Sequence, residues 1–366
     1  MPAIFFTTLV KRLSYRRDKE MNMKEIAELA GVSVAAVSYA LNGTGNISEK
    51  KRKEILEIVK KEGYSPNRIA KSLRTKKSST IGIMVEDITS FQTPRILNGI
   101  NEYAEKNGYT VILNNLGLLK KIGKNIDAVC EHRDILKKGM ELFEKAQVDG
   151  IVYASHHDRD VSSLLPQFHI PVVLAYCYDM THQNYCVTYD NTDISKEIAK
   201  YLAGHHHKDV GIICGADSSR PAQKRYSGYI EGLEECGIDP ERVWSFTGDW
   251  EFESGEAAYR QYKRLRVKPT AVFAMNDLMA VGFMDAALND GKKIPEDISI
   301  VGFDNRQECR FTRPRLTTVD IPLEQMGKES AKLLLNLIKD GEADDRKIIL
   351  PCNFVEKESV ATIESK

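Results

Sequence analysis

The chain has 366 residues, 52 Lys+Arg against 52 Asp+Glu, and 42% hydrophobic residues, enough for two or three domains around a sizeable core. Its longest apolar runs, such as residues 170–177, are strand-length and far short of the ~20 residues of a spanning helix, which excludes a helical membrane protein. Seven cysteines at 130, 177, 186, 214, 236, 309 and 352 are an odd number without a C-x-x-C pair; they read as buried thiols of a cytoplasmic protein.

Net charge of zero conceals an asymmetry. Residues 1–79 carry 17 Lys+Arg and 8 Asp+Glu, and the rest of the chain carries an equal and opposite excess. The N-terminal fifth is therefore a polyanion binder by charge, with Arg52 and its neighbouring lysines as phosphate contacts. Residues 1–20 begin with an apolar run whose charges follow it, with no small-residue cleavage site. They read as a disordered extension or a mis-assigned start ahead of Met21 or Met23.

Residues 24–42, KEIAELAGVSVAAVSYALN, predict two short helices joined by a tight turn. Ile26, Ala27, Leu29 and Ala30 give the first an apolar face, Gly31 turns the chain, and Ser33 caps the second. Val37, Ala40 and Leu41 face inward there, leaving Val34, Ala35, Ser38 and Tyr39 outward, small enough for a major groove. A third helix starts at Ser48 and buries Ile55, Leu56, Ile58 and Val59 before Gly63. From residue 79 the pattern changes to β-branched runs at 80–85, 110–113, 150–154, 171–175, 210–214, 271–274 and 299–302. These alternate with helical stretches at 95–107, 133–146, 194–203, 226–236, 255–265, 278–290 and 323–339, the signature of parallel sheets wrapped by helices. A shift near 180–187 predicts two similar α/β subdomains.

Open α/β sheets bind ligands beyond the carboxyl ends of their strands. There stand Asp87, Asp190, the loop 216–225, Asp249-Trp250, Asn276-Asp277 and Asp304-Asn305. Carboxylates, amides, an Arg and an aromatic ring suit a polyol, through hydrogen bonds to hydroxyls and stacking on an apolar sugar face. The His156-His157 pair and the His205–His207 run read as surface histidines, not metal ligands. The sequence lacks G-x-S-x-G, P-loop, H-E-x-x-H and G-x-G-x-x-G motifs, so no enzyme is indicated and no metal or cofactor is expected.

Over residues 23–360 the chain resembles the lactose-repressor (LacI) family of bacterial transcriptional regulators. MKEIAELAGVSVAAVSYALNG, GYSPNRIAKSLRTKKSSTIGIMVEDI, VDGIVYA, IPVVLAY, RYSGYIEGL, MNDLMAVG, IPEDISIVGFDN and PRLTTVDIP occur in the family's order. The resemblance implies an α/β chain with a helix-turn-helix headpiece at 21–66, a hinge helix and linker at 67–78, and a core at 79–366. That core would be two doubly wound α/β subdomains similar to periplasmic sugar-binding proteins, the first at about 79–185 and 323–348, the second at about 186–320 and 349–362. It further implies a homodimer, or a dimer of dimers, on double-stranded operator DNA, and a small effector of the sugar class. By the same resemblance Val34, Ala35 and Tyr39 face bases, and Ser33, Ala36, Ser38 and Asn42 lie near phosphates. Asn67, Ala70 and Leu73 belong to the hinge, with Leu73 as the minor-groove wedge. Asp87, Phe91, Gln92, Asp190, Arg225, Trp250, Asn276 and Asp304 meet the effector. Three departures stand out: Tyr39 replaces a common Arg, Gln92 and Thr93 replace aromatic residues, and the segment 116–132 is longer than usual. A secreted solute-binding receptor built on the same core is the alternative.

Overall fold

The computed structural model describes residues 21–43, 45–64, 77–123, 132–165 and 168–364, in two compact units that divide at Ser78. Residues 1–20 and the hinge positions Asn67, Ala70 and Leu73 lie outside the described residues.

The first unit holds α1 (Met23–Ala30), α2 (Val34–Asn42) and α3 (Glu49–Lys61). Each start is fixed by a local cap. The Asn22 side chain accepts from Lys24 and Glu25 N–H while Glu25 returns to the Asn22 N–H, a reciprocal capping box. Ser33 Oγ accepts from Ala36 N–H at 3.2 Å, and Ser48 Oγ from Lys51 N–H at 3.3 Å. Gly31 and Gly43 end α1 and α2 at φ +62° and +68°, conformations that cost a side-chain-bearing residue. Ile26, Ala27, Ala30, Val37, Ala40 and Ile55 form the core. Leu29 and Leu56, expected inside, are exposed; each lies at the edge of its helix's buried arc, and three short helices cover only its centre.

The second unit runs β1 (Thr80–Val85), α4 (Thr93–Lys106), β2 (Thr110–Asn115), α5 (Leu119–Ile122), α6 (Arg133–Lys145), β3 (Gly150–Ala154), β4 (Val172–Ala175), β5 (Tyr185–Tyr189), α7 (Thr192–Gly204), β6 (Val210–Cys214), α8 (Arg220–Glu235), β7 (Trp244–Thr247), α9 (Phe252–Tyr262), β8 (Ala271–Ala274), α10 (Asp277–Asn289), β9 (Ser299–Val301), β10 (Thr318–Asp320), α11 (Leu323–Asp340), β11 (Lys347–Leu350) and β12 (Asn353–Val355). One parallel sheet has the order β11-β5-β4-β3-β1-β2, a second β7-β6-β8-β9, and β10 pairs with β12. β3, β4 and β8 are buried throughout, as strands covered by helices on both faces must be.

Sheet membership corrects the expected subdomain boundaries. β5 pairs with β4, and β11 pairs with β5, so the first subdomain extends to residue 189 and takes in residues 347–350. The pattern change near 180–187 marked a strand, not the border. β7 and β10–β12 were not expected; they are short and partly exposed, without the continuous buried apolar run that marks the equally short β4, β8 and β9.

α4 and α11 meet where each has a glycine. A Cβ on Gly99 would collide with Glu324 O, and one on Gly327 with Ile96 O, backbone against backbone. Neither neighbour can rotate away, so Gly327→Ala is expected to push the helices apart and cost about 1–3 kcal/mol, measured as a lower denaturant midpoint of the core. An unchanged midpoint would mean the crossing is looser than its geometry.

Candidate functional site

In the first unit, Ser33, Val34, Ala35 and Tyr39 are exposed on one side of α2, Ala36 and Ser38 are half-buried beside them, and Val37 and Ala40 turn inward. The 3.6-residue period thus separates a core-forming face from a free face with small side chains at its N-terminal end. The Tyr39 ring fills the space where a Cβ on Gly45 would stand, and 44% of the residue stays exposed. Arg52, expected as a phosphate contact, also pairs within its own helix. Its Nη1 binds Glu49 at 3.1 Å and its side chain is 23% exposed, leaving half the charge-bearing fork engaged with the helix's own first turn.

In the second unit, the carboxyl ends of β1, β3, β5, β6, β8 and β9 surround a cavity of about 350 Å³. Arg225, on α8 and only 3% exposed, crosses its floor. Nε donates to Asn191 Oδ1 at 2.8 Å, Nη2 to Tyr189 OH at 3.0 Å, and Nη1 to Met275 O. The guanidinium carbon lies 3.5 Å from the Phe303 ring centroid and 5.7 Å from that of Trp250. Trp250 adopts φ +73° and lies over Gly215, whose missing Cβ leaves room for the indole. Asn276 caps α10, accepting from Met279 N–H at 2.9 Å, and donates to Trp250 O at 2.8 Å. Asp304 is 4% exposed; burial raises its pKa to about 8, against the lowering charge of Arg225 and with the raising charge of Asp277.

Gln92, Phe91, Arg225, Trp250, Asn276 and Asp304 therefore line one cavity. Asp87 and Asp190 do not, and this corrects the expectation for both. Asp87 accepts from Thr89 N–H and Oγ1 and from Leu119 N–H, while Asp190 accepts from Thr192 and Ile194 N–H. Asp190 serves the turn after its strand, the usual local competitor for a strand-end Asp, and Asp87 serves both such a turn and the start of α5. Gln92 is 1% exposed and gives Nε2 to Ser155 O at 3.3 Å.

The sequence reading missed the histidine pair and Arg306. His156 and His157 follow β3 and line the cavity. His156 Nδ1 binds Glu86 at 2.5 Å; His157 Nε2 meets Ser219 Oγ at 3.3 Å, its ring edge-on to Trp250 at 5.9 Å. Burial, with the charges of His156, Arg159 and Arg225, lowers the His157 pKa to about 3, so that ring is neutral. The strand-end rule applied to β3 would have found both. His207 is also buried, held by Thr270 Oγ1 and Ala361 O. Among the described residues no group of three or more His, Cys, Asp or Glu could hold a metal ion, and no helix is long and apolar enough to cross a membrane.

Comparison with known proteins joins these two units. Residues 22–67 match the model of bacterial regulatory proteins of the lacI family, and residues 199–360 match a periplasmic binding protein-like domain. The HTH-type transcriptional repressor PurR of Pasteurella multocida is 31% identical over 331 residues, covering 89% of this chain and 94% of that protein. The chain belongs to the lacI family of bacterial regulatory proteins. Its members are DNA-binding transcriptional regulators rather than enzymes. The PurR repressor of Mannheimia succiniciproducens is 29% identical over 347 residues, 93% of this chain and 99% of that one. Among solved structures, the lac repressor bound to ONPG in the repressed state is 25% identical with a TM-score of 0.72, covering 93% and 100% of the two chains. CcpA of Lactococcus lactis is 26% identical with a TM-score of 0.63 over 77% and 98%. Within this lacI-family chain, the exposed face of α2 and the cavity of the α/β unit are the two candidate sites.

Proposed function

We propose that the chain is a transcriptional repressor that binds a pseudo-palindromic operator as a homodimer, its operator affinity set by a small sugar or sugar derivative in the cleft. The observation that carries the ligand is the cavity of about 350 Å³, near the lower end of small-molecule sites and therefore suited to a ligand of one or two rings. Its walls combine Phe91 and Trp250 with Gln92, Arg225, Asn276 and Asp304, apolar faces beside directional polar groups. The regulator assignment of the family and the repressor names of its PurR relatives support the DNA reading. Ser33, Val34, Ala35, Ala36, Ser38, Tyr39 and Arg52 are the proposed DNA contacts of the headpiece, and Asn42 with the hinge positions Asn67, Ala70 and Leu73 is added to them on the family resemblance alone. Coupling of ligand to operator requires the core to have an operator-binding and a released form that bind the ligand unequally.

Fluorescence anisotropy with the full chain and a palindrome from its own gene region tests this reading. Binding should be tight and weaken steeply with salt. Tyr39→Ala should weaken specific binding roughly 5- to 150-fold, about 1–3 kcal/mol for a lost base contact, and leave binding to random duplex nearly unchanged. Equal affinity for operator and random duplex would remove the proposal and leave the solute-binding alternative.

A further inference from the structure

His156 is tied down at one edge and open at the other. It follows β3, its Nδ1 lies 2.5 Å from Glu86 Oε2, and its backbone N–H reaches the same oxygen at 3.0 Å. Glu86 is fully buried, and Tyr153 OH, Ser155 Oγ and both Nη atoms of Arg159 aim donors at its carboxylate. Burial opposes its charge, but Arg159 and His156 outweigh burial and hold the Glu86 pKa well below the ordinary range. An ionised carboxylate can only accept, so the ring nitrogen that faces it carries a proton. The other nitrogen, Nε2, has no hydrogen-bond partner among the described residues. The side chain is 8% exposed and lines the cleft, and its Nε2 is not sealed from solvent as the indole Nε1 of Trp250 is.

We infer that His156 is a ligand-contacting residue of the cleft, presenting an unprotonated Nε2 that accepts a hydrogen bond from a ligand hydroxyl. This rests on the reading of the cleft as the effector site and fixes the polarity of one contact: at this point the sugar donates. In an untethered neutral imidazole the proton can sit on either nitrogen and the lone pair on the other; the carboxylate on the Nδ1 side removes that choice. Two bonds from one residue to one oxygen also leave the ring little freedom to turn. A second proton on the ring would set a cation beside Arg159, whose guanidinium already neutralises Glu86 at 2.6 Å, and at pH 8 an ordinary imidazole is neutral. A ligand offering an ether or carbonyl oxygen at Nε2 opposes lone pair to lone pair and is disfavoured there. His157 does not duplicate the contact, because its Nε2 is turned to Ser219 Oγ.

Long-range proton–nitrogen NMR of the histidine side chains in the full chain, at that pH, tests this, with the His156 signals assigned by their absence from His156→Asn or His156→Gln. Before any ligand is added, Nδ1 should be protonated and Nε2 unprotonated. Titration with glucose, galactose, ribose and xylose should then move the Nε2 resonance toward that of a hydrogen-bonded acceptor for at least one sugar. Asparagine places an N–H where Nδ1 stands, so His156→Asn can keep the bond to Glu86 while losing the acceptor. By calorimetry it should bind that sugar roughly 2- to 12-fold more weakly, the net value of one neutral hydrogen bond, with an unliganded melting temperature near that of the parent. A proton on Nε2 in the free protein overturns the inference, and that readout stands on the parent even if a variant fails to fold. It is also overturned by an Nε2 resonance that stays still while a sugar binds, or by equal affinity in folded His156→Asn. A sugar that binds and shifts operator affinity without disturbing Nε2 would leave the proposed function standing while this contact falls. If none of the sugars binds, the contact falls together with the sugar reading of the cleft.

Discussion

Arg225→Ala is expected to lower the stability of the α/β unit by about 3–5 kcal/mol and to abolish the response to any cleft ligand. The first part follows from what the side chain leaves behind. Asn191 Oδ1, Tyr189 OH and Met275 O each lose a buried donor, at about 1–3 kcal/mol for a group left unsatisfied, and a void opens between Phe303 and Trp250. The second part follows from position. Asn191 precedes α7, Met275 follows β8, and Tyr189 ends β5, so one guanidinium ties three segments around the cavity. The charge also lowers the Asp304 pKa against burial; without it Asp304 should hold its proton to still higher pH. Since that folded-state pKa already exceeds the ordinary value of 3.8, its contribution to stability is complete below pH 3.8 and declines as pH rises toward about 8. The variant should extend that decline upward. Thermal melts from pH 6 to 9, with and without ligand, measure both effects. A variant that melts like the parent and still responds would deny Arg225 this place.

Much of this was legible in the sequence, and the parts that were not share a cause. The headpiece was legible because its signals are local: Ser33 caps within three residues, Gly31 and Gly43 end helices by their own φ, and Val37 and Ala40 follow the helical period. The parallel sheets were legible as β-branched runs. Arg225, Trp250, Asn276 and Asp304 were legible as residues beyond strand ends, and the family resemblance singled them out. Asp87 and Asp190 satisfy the same rule but bind the backbone beside them, because an Asp at a strand end has a turn N–H within reach before any ligand arrives. His156 and His157 looked like surface residues because nothing in their own segment reveals Glu86, 70 residues earlier, on which His156 closes. Arg306 carried no signal of its own. Its meaning depends on Phe91 from another part of the chain, and pairings of that separation are set by topology rather than by local pattern.

Glu86→Gln should cost about 3–5 kcal/mol and change how the protein responds to acid. Glu86 follows β1, is fully buried, and accepts from Tyr153 OH, from Ser155 Oγ at 2.9 Å, from His156 N–H at 3.0 Å, and from Arg159 Nη1 and Nη2 at 3.0 and 2.6 Å. His156 Nδ1 completes the set. These partners hold the loop after β3, which carries both histidines to the cavity. A glutamine keeps the shape but replaces one acceptor with a donor facing other donors, and it strands the largely covered Arg159 charge, the costly way to break a buried pair. Burial by itself would raise the Glu86 pKa; the charge of Arg159 and the hydrogen bond and charge of His156 outweigh it and hold the pKa well below the ordinary 4.5. Because the folded pKa is depressed, the stabilisation is present above pH 4.5 and is lost as pH falls toward the folded value. The parent should therefore lose stability in acid through this window, while Glu86→Gln, already lacking that contribution, should show a flatter acid limb from a lower starting point. Urea midpoints between pH 3 and 7 distinguish the two curves. Parallel acid limbs would mean that the acid sensitivity arises elsewhere and that Glu86 fixes the histidine loop by shape rather than by charge.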